Sequence, residues 1–173
     1  MSKYLVVVDM QNDFINGSLG SSEAQAILPK VIEKIKNFPG TVVYTRDTHE
    51  DNYLETLEGK KLPVVHCVRD TEGWKFQDDI QELVTANRSL VFDKETFGSI
   101  QMAGCLQGID RMDEVIVVGL CTDICVMANA VLIRTAMPNT PVRVDASCCA
   151  GSTPEAHRCA LEAMKSLQIE VDE

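Results

Sequence analysis

The sequence predicts an α/β protein: a mostly parallel, roughly six-stranded sheet held between two layers of helices. Three observations carry that prediction. Short apolar runs alternate along the whole chain with longer segments of helical spacing, with no succession of strands and no internal repeat. Several of the runs, YLVVV at 4–8 and VIVV at 115–118 among them, are apolar without alternation, as strands buried on both faces are. The runs also end on Asp9, Asp47, Lys94 and the turn before Cys125, and ligands of parallel sheets lie beyond the carboxyl ends of the strands.

Taken in order, residues 4–8 form the first strand, and the Asn-, Asp- and Gly-rich stretch after Asp9 reads as a loop. Residues 23–38 carry Ala26, Ile27, Val31, Ile32 and Ile35 at helical spacing, and Pro39-Gly40 stops them. Residues 41–46 are the second strand, closing on Asp47, and the polar stretch 47–62 has no periodicity to assign. PVVHCV at 63–68 reads as a short third strand, 76–86 as a helix, and 89–94 as a fourth strand ending on Lys94. A helix over 99–109, a fifth strand over 114–118 and a helix over 123–136 follow. The last strand is 142–146, and Pro154 opens a closing helix to about 167, with Ala156, Ala160, Leu161, Met164 and Leu167 on one face.

The 173 residues are expected to form one domain, 1–173, long enough for a single core. Sixteen basic against 26 acidic residues leave a net charge of −10, which argues against a nucleic-acid or anionic-membrane surface. No apolar run reaches the roughly 18 residues of a membrane span, and the N-terminal run is too short for a secretory signal. Seven cysteines, an odd number without a regular framework, fit a reduced cytoplasm in which most act as small hydrophobes.

One stretch, VIVVGLCTDICVMANA at 115–130, concentrates the chemistry. A buried strand turns sharply at Gly119 and restarts as a helix, with Thr122 or Asp123 placed to cap the free N–H groups. Cys125 falls in the first helical turn, where the helix dipole is expected to lower a thiol pKa and the exposed amides can stabilise an oxyanion. By itself such a residue is as readily a buried core cysteine. Asp9 and Lys94, at two other strand ends, supply what a nucleophile needs: a carboxylate to move the proton and an ammonium to hold that carboxylate. Without the cysteine they read equally well as a rim salt bridge.

The segments VVVDMQNDF, VFDKETF and GLCTDICV resemble the three motifs of the isochorismatase-like cysteine hydrolases, and VDASCCAGSTPEAHRCAL resembles that family's ending. The resemblance spans nearly the whole chain and implies a Rossmann-like, three-layer hydrolase with Asp9, Lys94 and Cys125 as catalytic triad. It further implies a cis peptide between Leu120 and Cys121, an oxyanion hole from the backbone N–H groups of Cys121 and Cys125, and self-association into a homo-oligomer. Cys121 is then the decoy, since it precedes the Thr-Asp pair that the nucleophile follows.

Asp47, His49 and His66 form a second constellation, a carboxylate and two imidazoles that suit zinc, manganese or iron. Asp47 and His49 alternate along a strand end and so point to one side. RDTH and the later HC resemble the nicotinamidases, whose metal holds the pyridine nitrogen of the substrate. The resemblance implies one divalent metal, zinc before manganese or iron, with Glu58 as fourth ligand and Glu55 as runner-up. Nicotinamidases commonly carry a tryptophan just ahead of the motif histidine. Here LPVV stands there, which leaves the pocket wall to Phe14, Phe97 or Trp74. The expected activity is hydrolysis of a small-molecule amide, nicotinamide first, through a thioester. Two rivals stay open: a metal-free relative acting on carbamoyl or ureido compounds, and a non-catalytic regulatory or binding domain. His157, in the closing helix, reads as structural and remote from the rim.

Overall fold

The computed structural model describes residues 2–172. Its centre is a six-stranded sheet, all parallel, in the order β3-β2-β1-β4-β5-β6. The strands are β1 (Lys3–Val8), β2 (Thr41–Asp47), β3 (Val91–Lys94), β4 (Glu114–Leu120), β5 (Val142–Ala150) and β6 (Glu170–Asp172). In β1 the alternation sorts side chains to two separate cores. Leu5 and Val7 pack with α2 (Ser22–Asn37) and α4 (Asp78–Ala86), through Ala24, Ile27, Val31, Ile35, Ile80 and Val84. Val6 and Val8 pack with α5 (Ile100–Gln107), α6 (Met127–Ala136) and α7 (Pro154–Ser166), through Met102, Leu106, Ala130, Ile133, Leu161 and Met164. Residues 5–8 are wholly buried, the reason their run is apolar without a period. Ser21 and Thr153 cap α2 and α7 through their hydroxyls.

Several expectations change. Residues 63–68 are not a strand: the segment meets the sheet edge only through a bridge between His49 and Val68. The left-handed backbone at Cys67 (φ 47°) breaks any run through it. The sixth strand is instead β6, which is too short and too acidic to read as apolar. Residues expected to be loop contain α1 (Asn12–Ile15), and the unassigned 47–62 holds a 3₁₀ turn (Tyr53–Glu55) and α3 (Leu57–Lys61). β5 runs four residues past the expected end. Among the described residues, no helix is long and apolar enough to cross a membrane.

The order of the strands creates the site. The chain winds outward from β1 in one direction through β2 and β3 and in the other through β4 to β6, so the connections leave a crevice above the β1–β4 boundary. Val8 lies beside Gly119 and Thr45, and Asp47 beside Lys94, so the carboxyl ends of four strands carry their polar residues to one level. Gly119 makes the close approach possible. Its φ is +121°, and a Cβ there would lie 2.1 Å from the Val8 carbonyl oxygen.

Candidate active site

At the end of β1, Asp9 has left-handed backbone (φ 49°) and a fully buried carboxylate. Thr45 Oγ1 donates to its Oδ1 at 2.7 Å, and Lys94 Nζ lies 2.6 Å from its Oδ2. The same ammonium is 3.5 Å from Cys125 Sγ and 3.4 Å from Asp47 Oδ1. Asp9, Lys94 and Cys125 are therefore not a rim ion pair but a buried cluster in which one cation faces a thiol and two carboxylates. Thr45 was not apparent in the sequence, where it is one residue among a strand's alternating positions.

Cys125 sits in a π-helical turn, Thr122–Val126, that joins β4 to α6. Neither Thr122 nor Asp123 caps it: the capping position is Cys121, which has no side-chain cap. The Thr122 hydroxyl is hydrogen-bonded to His157 Nδ1 at 2.7 Å, and Asp123 accepts from the Ser152 amide and hydroxyl. His157 thus lies against the nucleophile-bearing turn and not remote from it. From the other side, Asn129 Nδ2 donates to the Cys125 carbonyl at 2.8 Å while its Oδ1 accepts from the Ser99 amide. The peptide between Leu120 and Cys121 is cis.

The charge balance differs from that of an exposed helix terminus. Burial and then the Asp9 carboxylate push the Cys125 thiol well above its ordinary pKa, with Lys94 opposing. Burial also raises Asp9, against the pull of Lys94. Cys121 is pushed up to about 12 by burial and by Asp123 and Asp9. Desolvation works against the Lys94 ammonium, but the charges of Asp9, Cys125 and Asp47 more than offset it and hold the group protonated. Burial thus shifts the Cys125 thiol and the Asp9 carboxyl in the same, upward direction, and Lys94 faces and opposes both. The expected lowering of the thiol pKa fails because dehydration and two carboxylates outweigh one ammonium and a helix end.

Next to this cluster, Asp47, His49 and His66 bring one donor atom each within 4.8 Å of one another, and all three residues are buried. His49 Nε2 is 3.1 Å and His66 Nε2 3.5 Å from Asp47 Oδ2. Glu58 Oε1 stands 3.7 Å from the first imidazole and 3.8 Å from the second. Four donors about 2.1 Å from a tetrahedral ion would be separated by roughly 3.4 Å, so these spacings fit a divalent metal. His66 Nδ1 is 2.8 Å from the Val64 carbonyl, which leaves Nε2 for the cluster. Hydrogen bonds from both imidazoles and the Lys94 charge overcome desolvation and keep Asp47 ionised, as a ligand must be. Glu55 is exposed on the 3₁₀ turn, whereas the Glu58 carboxylate faces both imidazoles.

Gln11 and Asp13, unnoticed within the loop motif, hold these groups in place. Gln11 is fully buried; its Oε1 accepts from the Asp47 amide, and its Nε2 donates to the Asp47 and Trp74 carbonyls. Asp13 Oδ2 accepts from the Cys67 amide, directly after His66. Tyr53 packs its ring on both histidines, with centroids 4.6 and 5.0 Å away.

A cavity of about 260 Å³ connects the two clusters, with Asp47, Glu58 and His66 at one side and Cys121 and Cys125 at the other. Its walls are Phe14, Leu19, Leu62, Phe97 and Ile124, and Ser152 completes the lining. Phe14 and Phe97 line this cavity, whereas Trp74 is not part of the lining. That indole lies under the Arg46 guanidinium, 3.6 Å from the ring centroid, and donates to Thr48 Oγ1. The cavity is smaller than the roughly 300–1,000 Å³ of pockets for drug-sized ligands, and suits a single small ring.

The model of the Isochorismatase domain matches residues 3–172. The nicotinamidase of Saccharomyces cerevisiae is 25% identical over 213 residues, covering 98% of both chains. The nicotinamidase/pyrazinamidase of Mycobacterium tuberculosis is 29% identical, covering 96% of both. Among solved structures, a pyrazinamidase of Pyrococcus horikoshii in complex with zinc superposes with a TM-score of 0.82 at 29% identity, covering 100% of this chain and 99% of the other.

Proposed function

The chain belongs to the isochorismatase family, and from that membership and the geometry above we propose that it is a cysteine amidohydrolase that converts nicotinamide and water to nicotinate and ammonia. The observation that carries the reading is the position of Lys94, 2.6 Å from Asp9 and 3.5 Å from Cys125, behind a thiol that lines a small cavity together with Asp47 and His66 of the Asp47–His49–His66 cluster.

The reaction follows from these groups. Asp9 accepts the Cys125 proton as Sγ attacks the carboxamide carbon, while the Lys94 ammonium stabilises the negative charge on carboxylate and sulfur. The carbonyl oxygen becomes an oxyanion, held by the backbone N–H groups of Cys121 and Cys125. Asp9 returns the proton to the amide nitrogen, the C–N bond breaks and ammonia leaves, with a thioester on Cys125. Asp9 then takes a proton from water, whose oxygen attacks the thioester carbon. The C–S bond breaks, nicotinic acid is released, and the thiol regains its proton. A divalent metal on Asp47, His49, His66 and Glu58 would supply a Lewis-acid anchor for the ring nitrogen. Phe14 and Phe97 flank the ring, and fixing it over the thiol turns a bimolecular attack into a positioned one.

The metal-free reading, with a carbamoyl or ureido substrate, leaves two buried imidazoles and two carboxylates without a purpose, and the nicotinamide reading does not. The test is ammonia release from nicotinamide, pyrazinamide and ureido compounds by protein purified without chelator. Turnover of the two ring amides supports the proposal; turnover of ureido compounds alone refutes it.

A further inference from the structure

The turn that carries Cys125 does not hold itself. It is a π turn, closed by the wide hydrogen bond from the Val126 amide to the Cys121 carbonyl at 3.0 Å, and its first residue has no side-chain cap. The loop before α7 and the first turn of that helix supply what is missing. Both carboxylate oxygens of Asp123 are taken by Ser152, the amide at 2.8 Å and the hydroxyl at 2.6 Å. The Thr122 hydroxyl, fully buried, is bonded to His157 Nδ1 at 2.7 Å. Gly151 lets these segments meet: a Cβ there would come within 2.8 Å of the His157 Cβ and 2.9 Å of Asp123 Oδ1.

Resting on the amidohydrolase reading, we propose that His157 is a positioning residue for the nucleophile: through Thr122 it fixes the Cys121–Cys125 turn from outside, and with it the thiol and the two amides facing the oxyanion. His157 is not part of the cavity lining, so it does not reach substrate and has no proton to exchange with it. Its effect runs through a buried hydroxyl that loses its partner when the imidazole is removed. The Asn129–Cys125 bond braces the inner side of the same turn, so the loss of His157 leaves the turn attached but loose. Substrate binding rests mainly on the Asp47 end and on Phe14, Leu19, Leu62 and Phe97, which lie outside the turn, and Ile124 is the wall residue that belongs to it. The alignment of Sγ and amides with the carbonyl rests on the turn itself.

The experiment compares His157→Ala with His157→Asn, whose amide occupies the place of Nδ1. With nicotinamide as substrate, kcat of His157→Ala should fall by roughly 10–100-fold while KM stays within about threefold. His157→Asn should recover most of the loss. Hydrogen exchange by mass spectrometry should show faster exchange over 121–127 in His157→Ala, protection elsewhere as in the parent, and slow exchange again in His157→Asn. Unchanged kcat and unchanged exchange of the turn would overturn the proposal. So would a loss of protection throughout the molecule that asparagine does not repair, since His157 would then serve only stability. If the parent protein hydrolyses no amide, the amidohydrolase reading fails, and the exchange pattern alone still decides whether His157 holds the turn.

Discussion

Replacing Lys94 with methionine keeps most of the side-chain volume and removes the ammonium that faces Cys125. The charge lies 3.5 Å from the sulfur. At an effective dielectric of roughly 20, a unit pair at that distance is worth about 5 kcal/mol, which sets a ceiling of some 3 pKa units. The net effect is smaller, because Asp9, already raised by burial, takes up a proton once the ammonium is gone and no longer repels the thiolate. One unit, or about 1.4 kcal/mol, is a fair floor. The sign is fixed: Lys94 opposes the upward shift of the thiol, so its loss moves the thiol higher still. Only thiolate reacts with iodoacetamide. Alkylation of the Cys125 peptide at pH 7.5, followed by mass spectrometry in chelator-treated protein, should therefore slow by about tenfold or more. The whole rate–pH curve should move to higher pH. Cys105 and Cys159, both exposed, provide internal controls whose rates should not change. An identical profile, or faster alkylation of Cys125 in the variant, would show that Lys94 does not stabilise the thiolate.

Cys125→Ala should abolish ammonia release, while Cys121→Ala should keep a substantial part of it, because only the backbone of Cys121 is used; the reverse order of effects would exchange their roles. Protein purified without chelator should hold about one divalent ion per chain by elemental analysis, and His49→Ala should lose it. Glu58→Gln should weaken chelator-competition affinity by about 10–100-fold, whereas Glu55→Gln should leave it unchanged; equal effects would remove Glu58 from the ligand set. Gly119→Ala forces a Cβ to 2.1 Å from the Val8 carbonyl oxygen at a φ of +121°. It should lower the unfolding midpoint by about 10 °C, and a midpoint within a degree or two of the parent would mean that β1 and β4 separate easily at that point.

The layers were readable because β1 and β4 carry unbroken apolar runs, residues 5–8 and 115–118, and α2 and α7 each show one apolar face. Hydrophobic runs report burial, and burial on both faces leaves little else for such a run to be. Asp9, Asp47, Lys94 and Cys125 stood out for a related reason: each is a polar or reactive residue closing an apolar strand. What the pattern could not convey was anything set by contacts across the chain. PVVHCV has the composition of a strand, yet Asp13, far away in sequence, takes the Cys67 amide and fixes the segment as a loop that presents His66. Thr45, Gln11 and Asn129 are ordinary in sequence and become important only through their hydrogen bonds to Asp9, Asp47 and Cys125. Trp74 stood in for the tryptophan missing ahead of the motif histidine, but the Arg46 guanidinium covers its ring. The Cys125 thiol is expected to be lowered by a helix end, and burial beside two carboxylates pushes it the other way. His157 seemed remote because it lies 32 residues beyond the nucleophile in a separate helix, a separation that β5 and Gly151 close in space.

The most direct test is to catch the bond that the proposed reaction makes. Protein mixed with nicotinamide, quenched in acid during turnover and digested, should yield the peptide containing Cys125 with a nicotinoyl group on its sulfur. That acyl group should be absent from Cys125→Ala, and it should disappear at the rate at which nicotinate forms. Ammonia released without any acyl group on Cys125, or an acyl group carried by Cys121 instead, would contradict a thioester at Cys125.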